Sequence, residues 1–337
     1  MLFTEEIKKL AETENPWERL SGKTLLVSGG TGFLGSIFSE VISYRNMYYG
    51  QNITVINLSR HPRENSGNIF YVKQDIAEPF SVAGRVDYIL HLASNTHPQQ
   101  YASDPIGTIM INVLGCQRLL DLAKIKGSRF LLASSVEIYG DGNGVPMNEQ
   151  YSGYLDCNTV RAGYNEAKRV CESLCQSYRA QYGVNCVIAR LARCFGADLS
   201  KKDTKAMAQF LDKSANGADI VLHSRGLQRF SYCYGYDAVG GILKILLEGK
   251  DGEAYNVSDD DEGKTLGEYA EFIAALGGVS AVYQIGEDAG ASKASYAVLD
   301  CAKLKALGWE PLYTVSCGLE ASFRKLQLCA HGNSILS

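Results

Sequence analysis

The chain has 337 residues, enough to bury a large core and to build more than one lobe. Its 33 basic and 37 acidic residues leave a net charge of −4, which argues against a surface made for nucleic acid. Among its ten cysteines, Cys171, Cys175, Cys186, Cys194 and Cys233 sit inside helix- or strand-like segments without a disulfide framework, so buried reduced thiols and a cytoplasmic location are expected.

Residues 1–20 carry Glu5, Glu6, Lys8 and Lys9 and lack an apolar stretch of signal length. Leu2, Ile7 and Leu10 make this lead an amphipathic helix, expected to pack on a sheet edge before Pro16 and Trp17 turn the chain inward. Thr24-Leu25-Leu26-Val27-Ser28 then reads as a buried strand. Gly29-Gly30-Thr31-Gly32-Phe33-Leu34-Gly35 follows, and an apolar-periodic helix (Phe33, Ile37, Val41, Ile42) opens out of it. Glycines allow a tight strand-to-helix turn, and a helix N-terminus offers free N–H groups to a pyrophosphate. Gly29, Gly32, Phe33, Leu34 and Gly35 are therefore candidates for a dinucleotide site.

Strand-like runs at 53–58, 69–72, 88–92, 130–133 and 185–190 alternate with helical segments at 37–45, 106–126 and 161–182. This rhythm predicts an α/β fold, a Rossmann-type doubly wound parallel sheet, over residues 21–190. Ligands in such sheets gather at the carboxyl ends of the strands, where Gly29, Ala93, Ser135 and Arg193 all fall. The second strand ends Thr54-Val55-Ile56-Asn57-Leu58-Ser59-Arg60 without a carboxylate. Asn57 is the candidate for a ribose hydroxyl and Arg60 for a 2′-phosphate, so NADP stays open beside NAD. No run approaches 18 apolar residues, and neither histidines nor cysteines show metal-ligand spacing, so no membrane span and no metal are expected.

Leu131-Leu132-Ala133-Ser134-Ser135-Val136-Glu137-Ile138-Tyr139-Gly140 precedes Tyr164-Asn165-Glu166-Ala167-Lys168 by about a helix and a loop. Tyr164 and Lys168, four apart, share one helix face. A phenol titrates near pH 10, and bringing it to neutrality takes roughly 4 kcal/mol. A lysine ammonium and a cationic nicotinamide beside it favour phenolate, leaving a serine hydroxyl to hold the reacting oxygen.

With these motifs in order, the chain resembles the extended short-chain dehydrogenase/reductases of the NAD-dependent epimerase/dehydratase type, which act on nucleotide sugars. Supporting landmarks are Asp75-Ile76, His91-Leu92-Ala93-Ser94, Asp104-Pro105, Asn112-Val113-Leu114-Gly115, Tyr255-Asn256-Val257 and Leu307-Gly308-Trp309-Glu310-Pro311. The resemblance implies a smaller α/β substrate-binding lobe from 191–236 and 258–330, a return to the first lobe at 237–257, and a frayed tail at 331–337. It implies that Tyr164, Lys168 and Ser135 carry the hydride chemistry at sugar C4, and that Asp75 meets the adenine amine. Ile76, Leu92, Ala93 and Ser94 then line the cofactor, with Ser94 also facing substrate. A homodimer through helices 106–126 and 161–182 is implied too, although Ile109, Val113, Leu119, Leu120, Val170 and Leu174 serve a core equally well.

Within the family, Val136 speaks against a 4,6-dehydratase, whose acid/base pair stands there. Glu137 is retained as a candidate catalytic carboxylate, similar to the Ser-Thr-Ser-Glu-Val-Tyr-Gly motif of UDP-glucuronate decarboxylases; Arg161-Ala162-Gly163-Tyr164-Asn165-Glu166-Ala167-Lys168-Arg169 is also similar to theirs. Three positions depart from the family pattern. Arg193 replaces the usual Asn and is a candidate for a substrate phosphate. Phe230 replaces the usual Arg, with Arg229 one residue early as a candidate substitute if the strand shifts. Gly235 replaces the usual Val before Asp237. A C4 epimerase and a uronate decarboxylase of UDP-sugars both remain open, beside an NADPH-dependent 4-keto-sugar reductase and a silent dinucleotide-binding regulator.

Overall fold

A computed structural model describes residues 3–96, 98–196, 204–259, 263–285 and 295–330. The chain runs through α1 (Glu5–Ala11), β1 (Thr24–Ser28), α2 (Phe33–Tyr49), β2 (Thr54–Ser59), β3 (Ile69–Lys73) and β4 (Tyr88–His91). It continues with α3 (Pro98–Ser103), α4 (Pro105–Lys126), β5 (Arg129–Ser135), α5 (Ala162–Tyr182) and β6 (Cys186–Leu191). Next come β7 (Arg193–Phe195), α6 (Ala206–Ala215), β8 (Ile220–Leu222), β9 (Arg229–Phe230) and β10 (Tyr232–Tyr234). The last elements are α7 (Gly235–Glu248), β11 (Ala254–Val257), α8 (Leu266–Gly277), β12 (Ala281–Tyr283), β13 (Tyr296–Ala297), α9 (Ala302–Lys305) and α10 (Val315–Ala330).

Seven strands form one parallel sheet in the order β11-β6-β5-β4-β1-β2-β3. The order reverses between β1 and β4, and a crevice at that switch point is where such sheets bind ligands. Helices cover both faces because the central strands are apolar on both sides: Leu25, Leu26 and Val27 are all fully buried. The short pairs β7–β10, β8–β12 and β9–β13 lie outside the main sheet, and one apolar cluster runs from Ile7 through Leu131 to Phe230 and Leu319. The second segment thus shares its core with the first.

Two expectations need correction. The lead helix α1 packs on helices α2 and α7 rather than on a sheet edge; Ile7 and Leu10 are buried there, and Glu6 pairs with Lys325 at 2.8 Å. Helix α4 is long and apolar enough to match a membrane span by length and composition, contrary to the reading of the sequence. Its Cys116, Leu119, Leu120 and Ala123 are buried in a core cluster with Phe130 and Leu132. All ten cysteines are free thiols. The expected tail at 331–337 and residues 197–203 lie outside the described residues.

Candidate active site

The glycine turn is built by close approach. Gly29 adopts φ +77°, and a Cβ there would sit 2.8 Å from the Ala93 nitrogen, so β1 and β4 come together at the switch point only through glycine. A side chain on Gly35 would meet the Gly29 carbonyl, which is how α2 seats itself against the turn. Gly32 caps α2 in extended conformation, and no described side chain caps that N-terminus, leaving its N–H groups for an anion. A glycine cradle that any Cβ would fill, opening on an uncapped helix, fits the pyrophosphate of a dinucleotide. Phe33 turns its ring under the neighbouring strands, and side chains on Gly196 or Gly235 would collide with it. That close packing is the physical reason for glycine at 235, where the family pattern has valine.

Asn57 does not stand where a ribose would meet it. It is fully buried, its Nδ2 donates to Ser39 Oγ at 3.1 Å, and its side chain fills the space beneath Gly30. Gly30, unremarked in the sequence, is required by Asn57. The end of β2 is instead lined by Ser59, whose hydroxyl shares a 2.6 Å hydrogen bond with Thr31, and by exposed Arg60. Arg63 joins them by donating to the Thr31 carbonyl at 3.3 Å. Asp75 is half-buried and accepts from the Ala77 amide at 2.9 Å, while Ile76 turns its side chain into the core against Gly115. Leu92 packs on the core, the Ala93 amide donates to Ser28 Oγ at 3.3 Å, and Ser94 Oγ donates to Asn112 at 2.9 Å.

Ser135, Ser94, Tyr164 and Lys168 converge at the carboxyl ends of β4 and β5. Ser135 caps a short 3-10 turn, accepting from the Glu137 amide at 3.3 Å. Tyr164 lies in the first turn of α5 and is buried, with the Ser135 and Ser94 hydroxyls near enough to its phenol to draw its pKa down. Burial pushes the phenol up to about 12, against the pull of Ser135, Arg161 and Ser94 and with the help of the Glu137 charge. Lys168 is also buried; its Nζ donates to the Ala133 carbonyl at 2.9 Å and lies 5.9 Å from the Tyr164 ring centroid. Burial lowers the lysine from its ordinary value. The expected lowering called for both the Lys168 ammonium and a cationic nicotinamide; in the protein alone desolvation leaves the phenol above its ordinary value.

Glu137 is held ionised. Its carboxylate accepts from Arg161 at 2.9 Å, from Asn165 at 3.3 Å and from Arg193 at 3.1 Å. Burial raises its pKa, but the Arg193 and Arg161 charges outweigh that and keep it below the usual carboxylate range. Such a group is an anchor for cations rather than an acid carrying a proton at neutral pH. Arg161, Asn165 and Tyr101 were not singled out in the sequence. Tyr101 stacks on Tyr164 with centroids 4.9 Å apart, and the Arg161 guanidinium lies over the Tyr101 ring at 5.0 Å. The spacing Arg161-x-x-Tyr164-Asn165 on one helix was the available signal for two of them.

Arg193 emerges from β7 beside β10, and its guanidinium lies 3.7 Å over the ring of Phe230. Arg229 does not replace the family arginine. It points to the other side of β9, exposed, and donates to the Gly263 carbonyl at 2.8 Å. Successive strand side chains alternate faces, so an unshifted strand that buries Phe230 beside Arg193 must turn Arg229 away.

Ser134 donates to Glu172 at 2.5 Å; Glu172 is gripped by Arg190, which also reaches Tyr139 at 3.0 Å. This buried polar chain continues from Tyr139 to Asn256 on β11 at 2.6 Å and fixes the floor of the site.

The model of the NAD dependent epimerase/dehydratase family matches residues 25–258. The chain is 33% identical over 326 residues to UDP-glucuronic acid decarboxylase 5 of Arabidopsis thaliana, covering 93% of this chain and 92% of that protein. It is 31% identical to UDP-glucuronic acid decarboxylase 1 of Danio rerio, over 90% of this chain and 72% of that one. Among solved structures it is similar to a UDP-glucose 4-epimerase of Thermotoga maritima, with a TM-score of 0.77 and 22% identity over 91% of this chain and 99% of that one. At that identity the likeness speaks for the fold.

Proposed function

The chain belongs to the NAD dependent epimerase/dehydratase family, and from that premise we propose that it is an enzyme that oxidises a UDP-sugar at C4 to a transient 4-keto sugar, with UDP-glucuronate as substrate and decarboxylation as outcome. The observation that carries the reading is the convergence of Tyr164, Ser135 and Lys168 beside a glycine cradle fit for a dinucleotide. The extent of the match to UDP-glucuronic acid decarboxylases supports the substrate.

In this reading Ser135 holds the C4 hydroxyl and Tyr164 takes its proton. Lys168, anchored on Ala133, keeps a positive charge near the phenol. When bound, NAD would supply the hydride-accepting carbon and the positive charge of its ring. A carbonyl at C4 is β to the carboxylate on C5, so the C5–carboxyl bond breaks with its electron pair drawn into the new carbonyl and CO2 leaves; a proton returns to C5, and return of the hydride to C4, with Tyr164 giving its proton back to the oxygen, would restore the alcohol with no net redox change. Burial of Tyr164 and Lys168 favours this by keeping water from the reacting groups.

One observation favours 4-epimerisation as a second reading: buried Val136 stands where the decarboxylase motif has a serine, so that position offers no hydroxyl. Incubation with UDP-glucuronate and catalytic NAD is expected to release CO2 with no net absorbance at 340 nm. A C4 epimer without CO2 would establish the second reading. Net oxidation of NADPH by a 4-keto sugar would establish a reductase, and tight cofactor binding without turnover would mark a silent regulator.

NAD is the cofactor we assign. Arg60 and Arg63 at the end of β2, with no carboxylate between them, support NADP as the alternative. The Arg60→Ala Arg63→Ala double variant is expected to bind NAD like the parent and NADP more weakly, measured by nucleotide fluorescence. Unchanged NADP binding would separate these arginines from the cofactor.

We further propose a homodimer through α4 and α5. Leu119 and Leu120 from the expected contact set belong to the core, but Ile106, Met110 and Val170 are exposed on these two helices. A groove of about 370 Å³ lined by Ile106, Ile109, Val160 and Ala162 lies between them. Cytoplasmic residence is a proposal that fits ten free thiols.

A further inference from the structure

The cation cluster around Glu137 carries one charge too many for its own needs. Arg161 and Arg193 both pair with the single Glu137 carboxylate. Nη2 of Arg193 makes that pair, whereas its Nη1 is buried with no hydrogen-bond partner among the described residues. A buried guanidinium N–H without an acceptor is expensive to maintain, so an oxyanion is the ligand its fork is made for.

Location narrows which oxyanion. Arg193 shares the Glu137 carboxylate with Arg161, Arg161 lies 5.0 Å over the Tyr101 ring, and that ring stacks on Tyr164. This run of contacts sets Arg193 on the side of the site where Tyr164 acts on C4. The anionic group next to C4 on a uronic acid is the carboxylate on C5.

We propose that Arg193 is a specificity-determining residue that grips the C5 carboxylate of the sugar, with Glu137 and the Phe230 ring holding its guanidinium in place. This rests on the nucleotide-sugar reading given above and replaces the phosphate role expected from the sequence. The family pattern has Asn at 193 and Arg at 230, whereas this chain has Arg and Phe. With the guanidinium lying flat on the Phe230 ring, the exchange supplies the cation from β7 in place of β9.

The test is equilibrium binding of UDP-glucuronate, UDP-glucose and UDP to the NAD-loaded protein and to Arg193→Gln, with the melting temperature of each checked. Loss of a charged hydrogen bond predicts that Arg193→Gln binds UDP-glucuronate about 10- to 100-fold more weakly, while UDP-glucose and UDP change less than about 3-fold. The exchange variant Arg193→Asn Phe230→Arg, which returns a guanidinium from the neighbouring strand, is expected to recover much of the loss. Equal weakening of all three ligands would assign Arg193 to the diphosphate and overturn the proposal. Unchanged binding of all three, or no recovery in a folded exchange variant, would reduce Arg193 to a structural clamp and overturn it too. If the parent protein binds none of the three, the nucleotide-sugar reading itself falls and takes this proposal with it.

Discussion

Replacing Tyr164 by phenylalanine is expected to lower kcat by about 10²- to 10⁴-fold, the range of a positioned proton acceptor, while leaving NAD affinity and thermal stability near those of the parent. The geometry behind this is the meeting of Ser135 and Ser94 at one buried phenol. The phenol is an acid whose pKa burial has raised to about 12, so below that pH the cofactor-free protein keeps Tyr164 protonated. Titration followed by tyrosinate absorbance should therefore show no ionisation of Tyr164 through pH 10 without NAD. With NAD bound, the difference between parent and Tyr164→Phe should reveal one phenol titrating at lower pH, because a cationic ring beside an acid favours its anion. A Phe variant retaining more than about half of the parent kcat, against the range above, would remove Tyr164 from the chemistry.

The second large effect concerns stability. Arg190 and Glu172 form a largely buried pair with side-chain exposures of 12% each, bonded at 2.7 and 3.1 Å. Arg190 further donates to Tyr139 and to the Glu149 carbonyl at 3.0 and 2.7 Å, so its position is fixed from both ends. Glu172→Leu leaves that guanidinium buried and uncompensated, which is expected to destabilise the fold by about 3–5 kcal/mol. Removing both charges in Glu172→Leu Arg190→Leu should restore part of the loss, since the penalty lies in the unpaired ion rather than in the absence of the pair. Urea unfolding measures both. A single variant within about 0.5 kcal/mol of the parent, the spread of ordinary surface changes, would mean that the pair is well hydrated and does not set the floor of the site. Ser134 loses its acceptor in the same variant, so Ser135 next to it should be less firmly placed and kcat should fall as well.

What could be read from the sequence was whatever is written in local spacing. The glycine turn, the strand–helix alternation, and Tyr164 with Lys168 on one helix face are short-range patterns, and each element stands near its expected place. Partnerships across the chain were less legible. Asn57 has the right residue type and strand end for a ribose contact, but its orientation is decided by the missing side chain of Gly30. Glu137 could pass for an acid until Arg161, 24 positions away, and Arg193, 56 positions away, were seen to hold it ionised. Arg229 and Phe230 could not be told apart as site residues without knowing which face of β9 is buried. Tyr101 gave no signal at all, because its role depends on a stack with Tyr164 formed only in the folded chain.

The most direct trial of the account is to supply UDP-glucuronate carrying deuterium on C4 and follow turnover with catalytic NAD. Oxidation and return at C4 predicts a slower reaction with the labelled sugar and a product that keeps deuterium on that carbon, in the parent but not in Tyr164→Phe. Conversion at an unchanged rate, or a product whose C4 hydrogen has come from solvent, would contradict it.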